Sequence, residues 1–294
     1  MNKSILPSAI LALLLAPVLR ADTFLVDEFG DAGWQAGDTR ASGYTDINGG
    51  NQLVLGRTRT DAPPLLEDTL IAARLAFTAG PSPVADPQGS LHITAVTNGD
   101  KATLENRSFS ASLFDPTIQF QYRWIRTSGG VAAPAIKIGI DTAEANPSGN
   151  TATDRGEDRF DKILVYEPYL QGSVATQDNI WTTESIAYTS GKLWLVNLTP
   201  GGALPVTDMS DLRTLDEWAT LFGVAGATGD IVSLQIGVGS PNPNQDSYVD
   251  FLSSGPGTAQ TIWNFASVVP EPSSALLLLG SGMMLVLRRR RGSV

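Results

Sequence analysis

The side chains of this chain that could do chemistry are chiefly carboxylates and aromatic rings. Asp and Glu number 30 against 20 Lys and Arg, with a single histidine, His92, and no cysteine. One imidazole and no thiol exclude a histidine metal cluster, so zinc would need carboxylates alone, an unusual ligand set. Calcium takes six to eight oxygens from carboxylates, amides and carbonyls. The 141–161 loop could supply them from Asp141, Glu144, Asn146, Asn150, Asp154, Glu157, Asp158 and Asp161. Their spacing is not that of an EF-hand, and a solvated acidic loop is the simpler reading. Exposed aromatic rings bind the apolar faces of pyranoses, with nearby amides and carboxylates taking the hydroxyls. Trp34, Trp181 and Trp194, with Tyr44 and Tyr169, fall near predicted loops or strand ends and are the candidates for such a platform. Trp124 alternates inside a strand and Trp218 lies on a helix stripe, so both are expected in the core.

Catalysis is harder to build. A glycosidase needs two carboxylates roughly 5–9.5 Å apart, and the Glu-x-Asp-x-x-Glu strand pattern of β-sandwich glycosidases is absent. Glu167 and Asp250 stand as lone carboxylates. There is no Gly-x-Ser-x-Gly nucleophile turn and no phosphate loop. His92 alternates with Leu91 and Ile93, which points it to the outer face or to a polar spot in the sheet. The expectation is a non-enzymatic protein.

The elements that would position these residues are short β-type runs between Gly, Pro, Asn, Asp and Ser clusters. Candidate strands are Thr23–Phe29, Gln52–Arg57, Leu70–Phe77, Leu91–Thr97, Ile118–Arg126, Ala135–Ile140, Lys162–Tyr166, Trp181–Ser185, Lys192–Leu195, Val232–Gly239, Tyr248–Leu252 and Ile262–Phe265. In Gln119–Arg126 apolar residues fall at every second position, the mark of a half-buried antiparallel strand. Many short strands predict an all-β antiparallel sandwich. One helix is expected after Thr214, where Thr214 and Glu217 fit a capping box. Leu215, Trp218, Ala219 and Phe222 form its stripe and Gly223 a stop. A second short helix is expected at Pro63–Leu66.

The two ends read differently from the middle. Lys3 followed by the apolar run Ile5–Val18 and a plausible cut after Ala21 reads as a secretory signal peptide. Residues 22–267 are then one domain. At the other end Pro270-Glu271-Pro272 precedes an uncharged apolar run, Ser273–Leu287, and then Arg288, Arg289, Arg290 and Arg291. As a helix that run reaches about 22 Å, short of the ~30 Å hydrocarbon core unless arginines snorkel. The arginines hold the cytoplasmic side, leaving the domain outside. Without leader and tail, 14 basic and 29 acidic residues leave a net −15 against −10 for the whole chain. That surface repels nucleic acid and anionic lipid.

The tail resembles the PEP-CTERM sorting signal of Gram-negative bacteria in Val269–Ser273, in the leucine-rich run with Gly280 and Gly282, and in the terminal arginines. The resemblance implies 268–294 as the signal and an exosortase as partner. It also implies a transient inner-membrane stage, delivery to the cell surface or outside, and an exopolysaccharide or biofilm context.

The domain itself resembles lectin and carbohydrate-binding jelly-roll domains, of concanavalin-like or galactose-binding-like type. The resemblance rests on Ala135–Asp141, Ile163–Tyr169, Gly191–Trp194, Gly237–Ser240 and Tyr248–Phe251. It implies an early strand, Phe24–Phe29, lying near a late one, Tyr248–Leu252. By that analogy Asp27 or Glu28 could meet Asp250 around a structural calcium; otherwise these residues cap strands or pair with arginines. The expected function is a non-enzymatic surface or matrix protein associated with exopolysaccharide. A carbohydrate-binding module with an aromatic or calcium-assisted site is the alternative, and a glycoside-active enzyme the third reading.

Overall fold

In the computed structural model the described residues are 22–26, 31–36, 39–42, 52–55, 75–78, 89–96, 100–128, 132–142, 160–171, 178–198, 204–239, 244–256 and 260–265. They form two large antiparallel-dominated sheets and one α-helix. In the first sheet are β1 (Asp22–Val26), β5 (Leu75–Thr78), β6 (Ser90–Ala95), β9 (Ile118–Ser128), β12 (Thr182–Ile186), β16 (Gln245–Pro256) and β17 (Thr261–Phe265). In the second are β2 (Trp34–Ala36), β7 (Ala102–Asn106), β8 (Ala111–Ser112), β10 (Ala135–Asp141), β11 (Lys162–Tyr166), β13 (Leu193–Asn197), β14 (Asp208–Arg213) and β15 (Asp230–Val238). A separate hairpin joins β3 (Thr39–Ser42) to β4 (Gln52–Leu55).

Alternation decides which side chains meet. Phe120, Tyr122 and Trp124 of β9 and Leu91 and Ile93 of β6 point inward from the first sheet. Ile136, Ile138, Leu234, Ile236, Leu193 and Leu195 do so from the second, and all belong to one buried cluster. Aromatic rings cross between the sheets: Trp34 of β2 packs edge-on against Trp263 and Phe265 of β17, with centroids 5.5 and 5.4 Å away. Tyr122 meets Tyr166 at 6.5 Å, and the Tyr166 hydroxyl donates to Glu184 of β12 at 2.7 Å. The sheets therefore face each other as the two layers of a sandwich.

Strand order has a specific form. β9 runs along one flank of β16 for nearly its whole length. The other flank is shared, by β6 over Gln245–Val249 and by β17 over Phe251–Ser254. β15 is likewise flanked by β10 on one side and by β7 and β8 on the other. β1 is parallel to β17 and separated by it from β16. The early strand thus shares a sheet with the late one without pairing to it.

The helix α1 (Leu215–Ala225) buries Leu215, Trp218, Ala219 and Phe222, and the Trp218 indole N–H donates to the Leu193 carbonyl at 2.9 Å. The expected capping box of Thr214 and Glu217 is present, and the Glu217 carboxylate accepts the Thr214 N–H at 2.8 Å. The Thr214 hydroxyl also donates to the carboxylates of Asp216 and Glu217. The helix runs past the expected stop at Gly223 and ends at Gly226, which takes the left-handed conformation at φ 72°. The position that needs positive φ, and not the first glycine reached, sets the end. The candidate helix at Pro63–Leu66, the leader and the tail lie outside the described residues. Among those described no helix is long and apolar enough to cross a membrane.

Candidate functional site

The residues facing away from the core on the second sheet are polar, and several are buried. One ladder level crosses six strands: Gln35 (β2), Glu105 (β7), Gln235 (β15), Lys137 (β10), Val165 (β11) and Trp194 (β13). At ~4.8 Å between strands it spans about 24 Å. Its neighbours are tied together. Ser233 donates to Glu105 Oε1 at 2.7 Å, Arg107 Nε donates to Glu105 Oε2 at 2.9 Å, and Gln235 Nε2 donates to Ser233 at 3.3 Å. Lys137 Nζ reaches the Thr103 hydroxyl at 3.4 Å. Thr103, Glu105, Ser233 and Gln235 are all buried. Buried polar groups in a connected network hold their geometry firmly.

The Trp194 end carries the group of greatest chemical interest. Glu167 Oε2 accepts the Trp194 indole N–H and the Tyr169 hydroxyl, each at 3.1 Å. Among the described residues its Oε1 accepts nothing. Burial pushes the Glu167 carboxyl above the ordinary glutamate range, opposed by those two hydrogen bonds and by the charge of Lys137. Burial, and then the Glu167 charge and hydrogen bond, pushes the Tyr169 hydroxyl up to about 12. Gln171 closes the corner, exchanging hydrogen bonds with the Lys192 backbone at 2.8 and 2.9 Å. The result is a half-buried indole, a phenol and a carboxylate, beside a lysine and an amide. Groups of these types are able to accept hydroxyl hydrogens and to pack on an apolar ring face.

The three tryptophans expected as a platform have three different surroundings. Trp194 takes part in this cluster. Trp34 is 0 % exposed, locked between Trp263 and Phe265, and presents no face to a ligand. A three-residue strand paired to β7 places it inside, which its Gly-rich flanks in the sequence conceal. Trp181 belongs to the first sheet, where the Arg123 guanidinium lies 5.1 Å above its ring. Asp250 is buried and accepts Arg123 Nη1 at 3.2 Å, the arginine pairing that was the alternative to a metal site. Val26 is level with Phe265 beside Asp250, but Asp27 and Glu28 themselves lie outside the described residues, as does most of the 141–161 loop. Among the described residues no group of three or more Asp, Glu, His or Cys could hold a metal ion. His92 does face outward, stacked on Tyr248 at 4.4 Å and bonded to Asp246 at 2.6 Å.

Sequence reasoning missed Lys137, Gln235 and Glu105 as site residues. The available signal was the polar alternation Ile136-Lys137-Ile138 and Leu234-Gln235-Ile236 within otherwise apolar strands.

Residues 268–291 match the family described as the PEP-CTERM protein-sorting motif. The chain therefore carries the signal of exported proteins sorted by an exosortase, which is its processing partner, and the signal directs it to the cell surface by membrane-associated processing. No curated protein matches the chain.

Proposed function

We propose that the exported domain is a non-enzymatic cell-surface or matrix protein that associates with exopolysaccharide through the outer face of its second sheet. The observation that carries this reading is the Trp194–Glu167–Tyr169 cluster at the end of the Lys137–Gln235–Glu105 level. A strip about 24 Å long suits several consecutive sugar rings better than a single small ligand. Strand order supports a jelly-roll reading: the rows β6–β16–β9–β12 and β7–β15–β10–β11 are antiparallel, and the chain passes between the rows from β6 to β7, β7 to β9, β9 to β10, β11 to β12, β12 to β15 and β15 to β16. Glu105 stands three strands from Glu167, about 14 Å, so these two carboxylates are not spaced as a glycosidase pair.

The test is retention of the processed protein on immobilised exopolysaccharide from its host, comparing wild type with Trp194→Ala, Glu167→Gln and Trp181→Ala. Loss of retention in the first two with Trp181→Ala unaffected supports the reading. Wild-type retention that survives Trp194→Ala but not Trp181→Ala moves the site to the first sheet and defeats it. Calcium, if it contributes through the 141–161 loop or Asp27 and Glu28, is read in the same assay by chelation.

A further inference from the structure

The second sheet carries a cation into the core. One of its inward-facing ladder levels is Ile138, Leu164 and Leu195, all 0 % exposed, and the next is Ile140, Lys162 and Asn197. Lys162 is also 0 % exposed, and among the described residues it is the one buried lysine. Taking an ammonium out of water is costly unless its partners compensate. The Asp161 carboxylate stands 3.7 Å from Nζ, longer than a hydrogen bond. Thr142 holds that carboxylate in place: Oδ1 accepts the Thr142 N–H at 3.2 Å, and Oδ2 accepts the Thr142 hydroxyl. A buried amine beside a fixed carboxylate is a nucleophile with a proton acceptor at hand.

An electrophile lies directly across the ladder. Lys162 of β11 is in register with Asn197 of β13. The Leu198 N–H donates to the Asp161 carbonyl at 3.0 Å, while the Asn197 N–H turns the other way, to the Thr207 hydroxyl at 2.9 Å. Lys162 and Asn197 are therefore a non-hydrogen-bonded pair, the closer kind, with Cα atoms ~4.5 Å apart and side chains on one face. The four-carbon stem of the lysine covers that gap. Asn197 Nδ2 donates to the Pro205 carbonyl at 3.0 Å, which anchors the amide. Asn197 is half-buried, so a small product released there meets water.

We infer that Lys162 and Asn197 join in an amide cross-link between β11 and β13. Asp161 takes one proton from the Lys162 ammonium. Nζ then bonds to Asn197 Cγ, the Cγ–Nδ2 bond breaks, and a second Nζ hydrogen leaves with Nδ2 as ammonia. The ammonia collects the proton held by Asp161 and departs as ammonium. The product replaces a buried charge with a neutral amide. It also staples two strands in a chain that has no cysteine for a disulfide.

Trypsin reads the bond. The sequence offers cuts after Arg159, Lys162, Lys192 and Arg213, with no other Lys or Arg between them. The released protein is recovered from its host, denatured and digested, and its peptides are weighed. A cross-link blocks the cut after Lys162. Residues 160–192 should then appear joined to 193–213, about 17 Da lighter than the two peptides together. Separate peptides 163–192 and 193–213 at their sequence masses overturn the inference. Asp161→Asn, once a cooperative melt shows it folded, should yield roughly ten-fold less of the branched peptide. An undiminished yield overturns the part given to Asp161.

Discussion

Phe265→Ala tests whether the last strand is locked into the core. The ring is fully buried and packs edge-on against Trp34 at 5.4 Å, in a layer shared with Trp263. Deleting a buried phenylalanine removes its transfer free energy and leaves a cavity, together about 3–5 kcal/mol. The Trp34 ring against it is itself packed on Trp263, so the void cannot collapse easily and the upper half of that range applies. Leu25→Ala, one strand away on the outer face at 54 % exposure, removes a side chain largely in water and should cost within about 0.5 kcal/mol. Urea unfolding of the exported domain, followed by tryptophan fluorescence, separates the two. With a slope of about 3 kcal/mol/M, Phe265→Ala should lower the midpoint by about 1.3–1.7 M and Leu25→Ala hardly at all. A drop below about 0.3 M for Phe265→Ala, or equal drops, would refute the locked strand.

Other substitutions and titrations probe the rest of the molecule. Gly237→Ala would place a methyl 2.2 Å from the Ala102 carbonyl oxygen and should destabilise by more than about 2 kcal/mol, whereas Gly223→Ala meets nothing nearer than 3.8 Å and should stabilise the helix by roughly 0.5–1 kcal/mol; thermal melts give both signs. Hydrogen bonds from the Thr214 backbone and hydroxyl hold the Glu217 carboxyl below its ordinary range. Its contribution is therefore present above the unfolded-state value and lost as pH falls through the folded one, so the stability gap between wild type and Glu217→Gln should close in acid. Tyr169 is pushed up to about 12, and Tyr122 and Tyr166 also upward, all chiefly by burial. The folded state keeps protons that the unfolded chain loses near pH 10, so stability should fall as pH rises from there. Phenolate absorbance should then lag behind free tyrosine until the fold opens.

Much of the architecture was legible because it is local. The alternation in Gln119–Arg126 became β9, and the stripe after Thr214 became α1 with Trp218 in the core. β7 escaped because all five of its residues are buried, Thr103 and Glu105 by other polar groups, so no inside–outside alternation marks it. Trp34 was misread as a surface ring for a related reason: burial of a three-residue strand depends on the strand it pairs with.

Taken alone, the amino-acid sequence determined the sorting tail, the acidic charge, the β class and the poverty of catalytic side chains, since each resides in residue types or near-neighbour spacing. Tertiary structure alone decided that Glu105, Lys137, Trp194 and Gln235 share one ladder level, and that Asp250 pairs with Arg123. These follow from strand register, set by core packing between segments far apart in the chain, and no local pattern encodes it.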